Sequence, residues 1–291
     1  MKTTARCHRL NYVWFLLLLG LLAIPACAPT SISPSPRASI AQAASDDRLD
    51  AILWQTTSAE YRVLAQSIYA TAKIHLERAL ADRQWTALPE QKNNFQNLPP
   101  AVIMDIDETV LDTRGFQSLL VKNRARFSTA AWREWQNRNQ PAAVPGAVEF
   151  ISFAESRGVR VFFVTNRDQA TELATRKHLT ANGIKLPDHI DTVLGQNERP
   201  DWGFDKGSRR RFIAESHRVV MLFGDDLGDF ISEYRTSPQT RMSAALEYNE
   251  WGTKWFMLPN PMYGSWESSL YDFASGLSPE EISERKFKQL R

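Results

Sequence analysis

Residues 101–112 read AVIMDIDETVLD. Four apolar residues, Ala101 to Met104, run straight into Asp105, Asp107 and Thr109. A short run that is apolar throughout fits a strand covered on both faces, the environment of a parallel sheet. The pattern recurs downstream. Val159 to Val164 ends in Thr165-Asn166-Arg167, and Ile190 to Leu194 is a weaker third run. Arg218 to Phe223 ends in Gly224-Asp225-Asp226, and Trp255 to Leu258 reads as a fifth. Helical stretches separate them, Ala147 to Arg157 and Ala170 to Asn182 among them, with Pro145-Gly146 and Gly158 punctuating the first.

Strands alternating with helices predict an α/β fold, a Rossmann-like parallel sheet. Upstream, no Gly or Pro occurs from Arg48 to Trp85, and Leu49, Ile52, Leu53, Tyr61, Leu64, Ala65, Ile68, Tyr69 and Ala72 recur at helical spacing. The break at Thr56-Thr57-Ser58 predicts a second helix capped by Ser58. Segments of about 48–90 and 113–144 are expected to form a small helical cap on a domain spanning 48–291.

The first 26 residues carry Lys2, Arg6 and Arg9, no acids, and an apolar stretch from Tyr12 to Ile24. That stretch is shorter than the ~20 apolar residues a membrane span needs, and its layout is that of a signal peptide, residues 1–26. Cys27 follows Ile24-Pro25-Ala26, an arrangement that resembles a bacterial lipobox; simple cleavage after Ala26 also fits. The other cysteine, Cys7, lies inside the leader, so the mature chain has no disulfide and no thiol nucleophile beyond Cys27. Residues 27–47, rich in Pro, Ser and Ala, suit a tether between a lipid anchor and a folded domain. Removal of the leader takes the formal charge from +2 to −1, so no strong field draws the chain to nucleic acid. The expected location is exported and membrane-anchored. Ala28 after Cys27 is not the Asp that retains lipoproteins at an inner membrane, which points to an outer membrane where the cell has two.

Ligands of a parallel α/β sheet gather at the carboxyl ends of its strands. Asp105 and Asp107 end the first strand, Thr165 the second, Asp225 with Asp229 the fourth, and Lys206 lies in the loop before the fourth. Acids, a hydroxyl and a lysine on one edge suit a phosphate and a metal. Lys206 competes for this role with the basic residues at 209–211, and Asp226 and Asp112 read as neighbours or supports. His8, His75, His178, His189 and His217 show no His-x-x-x-His pattern, which sets zinc hydrolase and phosphohistidine chemistry aside.

Asp-x-Asp-x-Thr, a strand-end Thr, a Lys and Gly-Asp-x-x-x-Asp, in that order, resemble the haloacid dehalogenase (HAD) superfamily. A closer resemblance is to the bacterial class C acid phosphatases, the lipoprotein 5′-nucleotidase group. It rests on LWQTTSAEY (53–61), DIDETVLD (105–112), WREW (132–135), PGA (145–147), VTNR (164–167), GDDLGDF (224–230) and NPMYGSWE (260–267). The resemblance implies a HAD-like fold and a Mg²⁺-dependent acid phosphatase with 5′-nucleotidase activity. An anionic nucleophile needs a cation between itself and a phosphate, and Mg²⁺ takes oxygen ligands: here Asp105, Asp225 and, by resemblance, the backbone carbonyl of Asp107. Asp105 would form an aspartyl-phosphate. Asp107 would protonate the leaving oxygen, its pKa raised by neighbouring carboxylates. Thr165 and Lys206 would hold phosphoryl oxygens, and Asp229 would support the metal ligands rather than bind. Trp132 and Tyr263 match aromatics that sandwich a nucleobase in that group; a core role fits them equally. The partners so implied are a nucleoside monophosphate or other phosphate monoester, a membrane through the lipid anchor, and a second copy in a homodimer. A phosphomonoesterase without nucleotide preference, or a surface lipoprotein that binds a ligand over a vestigial site, are the rival readings.

Overall fold

The computed structural model describes residues 46–290. The leader, Cys27 and the tether up to residue 45 lie outside the described residues. Two helices, α1 (Leu49–Thr57) and α2 (Ala59–Ala81), open the described chain. The Ser58 side chain accepts the amide of Tyr61 at 3.1 Å, the cap expected between them. β1 (Pro100–Met104), β2 (Arg160–Asp168), β3 (Val193–Gln196), β4 (Arg218–Gly224) and β5 (Trp255–Met257) form a wholly parallel sheet in the order β3-β2-β1-β4-β5. Between β1 and β2 lie α3 (Arg114–Lys122), α4 (Thr129–Arg138) and α5 (Ala147–Ser156). Then come α6 (Glu172–Ala181), α7 (Gly207–Ala214), α8 (Pro238–Leu246), α9 (Ser265–Ser269) and α10 (Pro279–Phe287).

Side chains alternate across the sheet. Val102, Met104, Val161 and Phe163 enter one apolar layer, and Ala101, Ile103, Phe162 and Val164 the other. Ala101 pairs with Val219 and Val102 with Met221, so Val220 is an extra residue on β4 and shares a layer with Met221. Two strands differ from expectation. β2 continues to Asp168, which places Thr165 and Arg167 on the strand itself. β3 begins at Val193 because the Asp191 carboxylate accepts the Val193 amide at 3.0 Å, a turn that must precede the strand.

The cap is smaller than expected. α1 packs on α3, but α2 lies against α5, β4 and β5, and its stripe of Ala65, Tyr69, Ala72, Leu76 and Ala79 is part of the sheet's covering layer. A cap over the whole of 48–90 is therefore corrected: α2 belongs to the core. Tyr69 stacks on Phe223 at 5.5 Å and donates its hydroxyl to the Thr109 carbonyl at 2.6 Å. Gly146, at φ +91°, meets this ring so closely that a Cβ would stand 3.1 Å from it. At the far end of the chain, Lys286 of α10 pairs with Asp47 at 2.7 Å and with Glu267 at 2.6 Å, clasping the first and last described segments together.

Candidate active site

The chain runs from β1 outward to β2 and β3, then returns to β4 on the other side of β1, so the reversal point lies between β1 and β4, where a crevice opens at the strand ends. Asp105 stands there, its amide bonded to the Phe223 carbonyl at 2.9 Å. Asp225 follows β4. Its two oxygens accept from the Thr109 hydroxyl at 3.1 Å and the Asn260 amide at 2.8 Å. Asp229 sits in a short 3-10 turn, Leu227–Asp229, and one of its oxygens accepts the amides of Asp225 at 3.1 Å and Asp226 at 2.9 Å. Gly224 permits this. A Cβ there would lie 2.2 Å from the Asp229 carboxylate, closer than any real contact.

Carboxylate oxygens of Asp105, Asp225 and Asp229 all lie within 4.8 Å of one another. Lys206, just before α7 and 5 % exposed, pairs with Asp105 and with Asp229, the latter at 2.6 Å. Burial pushes the Asp105 carboxyl up to about 7, with Asp229 and Asp107 adding to the shift and Lys206 opposing it. Burial, Asp105 and Asp229 push Asp225 well above its ordinary value. For Lys206, burial works to lower the pKa, and Asp105 with Asp229 outweigh it and raise it. Three converging carboxylates against one lysine leave an excess of negative charge in a small, poorly hydrated space. An all-oxygen donor set with that excess fits a hard divalent cation, so these residues suit a metal. Asp229 has both oxygens engaged by Lys206 and backbone amides, yet it stands inside the group rather than behind it.

Asp107 is held differently. Arg167 reaches it in a fork: Nε lies 3.0 Å from both oxygens and Nη2 2.6 Å from Oδ1. The guanidinium is 1 % exposed on its side chain, against 18 % for Asp107. The expected contact of Asp107 with carboxylates is thus corrected: its partner is a cation. Its side chain also lies outside the three-carboxylate group. Thr165, 1 % exposed, accepts the Arg167 amide at 3.1 Å and stands next to Val164, which with Ile103 and Phe223 floors the crevice below Asp105 and Lys206.

Several participants carried no assigned role in the sequence reading. Arg167 was visible in one respect, since a strand's period of two puts it on the same side as Thr165. Glu108 is fully buried at φ +58° and accepts from the Thr113 amide at 3.0 Å, the Thr113 hydroxyl at 2.6 Å, and Gln55 of α1. Burial first, then Asp112, push it up to about 8. Arg209 and Arg210 are buried braces, not rivals of Lys206. Arg209 bonds Asn166 and the Gly203 carbonyl, both at 2.8 Å, and Arg210 bonds the Asp229 carbonyl at 2.9 Å. Asp226 is structural, since it accepts from Ser265 and from the Gly228 amide at 2.9 Å.

Trp132 and Tyr263 border the Asp107 side. Trp132 stacks on Trp135 (5.4 Å, 12°), meets Phe116 at 4.9 Å, and has Arg167 5.5 Å from its ring centre. Tyr263 is half-buried, and its phenol is pushed well above its ordinary value by burial and by Glu108, Asp225 and Asp107.

A parallel sheet with acids and a lysine at the reversal point defines an α/β phosphoryl-transfer scaffold. Residues 27–266 match the family described as HAD superfamily, subfamily IIIB (acid phosphatase), and the chain belongs to that family. It is similar to the class C acid phosphatase from Bacillus anthracis, with 31 % identity and a TM-score of 0.74 over 85 % of this chain and 98 % of that one; the tungstate-bound form of that enzyme superposes equally well. Curated relatives include the stem 28 kDa glycoprotein of Glycine max (21 % identical, over 55 % of this chain and 58 % of that protein). Another is the class B acid phosphatase of Morganella morganii (23 % identical, over 58 % and 78 %). The chain thus spans little more than half the length of the Glycine max relative.

Proposed function

We propose that the chain is a Mg²⁺-dependent phosphate monoester hydrolase, an acid phosphatase with 5′-nucleotidase activity. The observation that carries this reading is the group of buried Asp105, half-buried Asp225 and buried Asp229 facing Lys206, with Asp107 standing beside it in the fork of Arg167. Mg²⁺ held by Asp105, Asp225 and the Asp107 carbonyl would screen the approach of anion to anion. Asp105 attacks phosphorus and forms an aspartyl-phosphate. Asp107 takes up the proton that the phosphate monoester brings as its monoanion, gives it to the leaving oxygen and later takes one from the attacking water. Lys206 and Thr165 hold phosphoryl oxygens as charge spreads over them. The oxyanion tungstate named with the Bacillus anthracis enzyme agrees with a site built for a tetrahedral anion. Asp105→Asn should abolish turnover of nucleoside monophosphates while the thermal melt persists. Activity retained in that variant would remove the nucleophile assignment.

Nucleotide preference rests on Trp132 and Tyr263, and one observation favours broader specificity: Trp132 already stacks on Trp135 within an aromatic cluster. A large loss on nucleotides and a small loss on aryl phosphates in Trp132→Ala and Tyr263→Ala supports the base sandwich. Equal losses support a phosphomonoesterase without it.

The same reading places the enzyme outside the cytoplasm on a lipidated Cys27, at an outer membrane, stripping phosphate from nucleotides that cannot cross a bilayer. No helix among the described residues is long and apolar enough to cross a membrane. The mass of the mature N-terminus tests the anchor, and an unmodified start elsewhere would refute it. Light scattering tests the homodimer.

A further inference from the structure

Arg167 has more hydrogen-bonding capacity than its fork on Asp107 uses. Its Nη1 lies 3.0 Å from Nδ1 of His178 and 3.4 Å from the Thr175 hydroxyl, both on α6. A guanidinium only donates, so Nδ1 must accept and the imidazole proton belongs on Nε2. That side of the ring faces the backbone of Gln136 and Asn139 at the end of α4, the helix that carries Trp132. His178 is 3 % exposed. Burial and Arg167 hold its pKa below the ordinary value, which favours the neutral ring that the contact with Arg167 requires. The Arg167 guanidinium is therefore pinned at one end by His178, presents its other nitrogens to Asp107, and lies 5.5 Å from the Trp132 ring centre.

We propose that His178 is a positioning residue for the acid Asp107, acting through Arg167: its Nδ1 fixes the rotation of the guanidinium and so the direction in which the carboxyl meets the leaving oxygen. Without this acceptor, Nη1 keeps only the long contact to Thr175, and the fork is free to swing. His178 touches neither phosphate nor metal in this scheme. The inference rests on the reading of Asp107 as general acid.

The test uses phenyl phosphate and 4-nitrophenyl phosphate, which are close in size but differ in how much their leaving oxygen needs a proton. The quantity read is kcat/KM, which ends at departure of the phenol. His178→Ala should lower kcat/KM on phenyl phosphate by roughly ten- to a hundredfold, as misplacement of a reacting group does, and leave 4-nitrophenyl phosphate near the wild-type value. That retained turnover also shows the variant to be folded. His178→Asn, whose Oδ1 can stand in for Nδ1 as acceptor, should recover most of the loss. Equal losses on both substrates, or no recovery in His178→Asn, would overturn the proposal. Asp107→Asn separates the two readings. If it shows the substrate asymmetry and His178→Ala does not, only the role of His178 fails; if it shows none, the acid role of Asp107 fails and carries this one with it.

Discussion

Glu108 shows how a single buried side chain ties pH to stability. Its ordinary value is 4.5 and burial raises it to about 8. Between those values the folded chain keeps a proton that the unfolded chain gives up. The contribution of this group is therefore full below about pH 4.5 and is lost as the pH climbs toward 8. The metal-free protein should melt at lower temperature at pH 8 than at pH 5. Glu108→Gln should flatten the difference by at least ~1 kcal/mol, about 2–4 °C for a chain of this size. The substitution is tolerable because Gln55 Oε1 has no partner, and a turn of that amide would offer it to the new one. A melt with the same pH slope in the variant would exclude Glu108 as its source. The pairing of Glu108 with Gln55 joins residues 53 apart through the chain, which no local spacing can announce. Asp105 and Asp225 were legible for the opposite reason: a parallel sheet sends the residues that follow its central strands to one place.

The junction of β4 with the 3-10 turn after it makes one carboxylate serve two ends. Asp229 satisfies the amides of Asp225 and Asp226 and also pairs with Lys206. Gly224→Ala should displace it, at a cost of ~1–3 kcal/mol in urea unfolding, and should also weaken the response of the melt to added Mg²⁺. A loss of stability with undiminished Mg²⁺ response would separate the turn from the metal site. Among helices, α2 was legible as a helix and its buried stripe as buried. What it is buried against was not, because an amphipathic stripe looks the same whether it faces a sheet or a cap. Lys206 was blurred by its neighbours in the same way, since charge along a sequence does not tell the lysine that meets Asp105 and Asp229 from the braces Arg209 and Arg210.

The site as a whole gathers negative charge that protons, and in the proposed enzyme a cation, neutralise. In the metal-free state Asp105, pushed up to about 7, and Asp225, pushed well above its ordinary value by burial and by Asp105 and Asp229, both hold protons more tightly than free carboxyls do. A cation must displace them, so its binding strengthens as the pH rises. The gain in melting temperature from Mg²⁺ should be larger near pH 7.5 than near pH 5, and should shrink in Asp225→Asn at both. A gain independent of pH would place the ion elsewhere.

The bond from Lys286 to Asp47 and Glu267 brings the two ends of the described chain to one spot on the surface. Topologically the described part, residues 46–290, is close to a ring with a single cut. A short linker from Leu290 to Asp46 would close that ring, and the chain could then begin in another exposed loop with the crevice between β1 and β4 left whole.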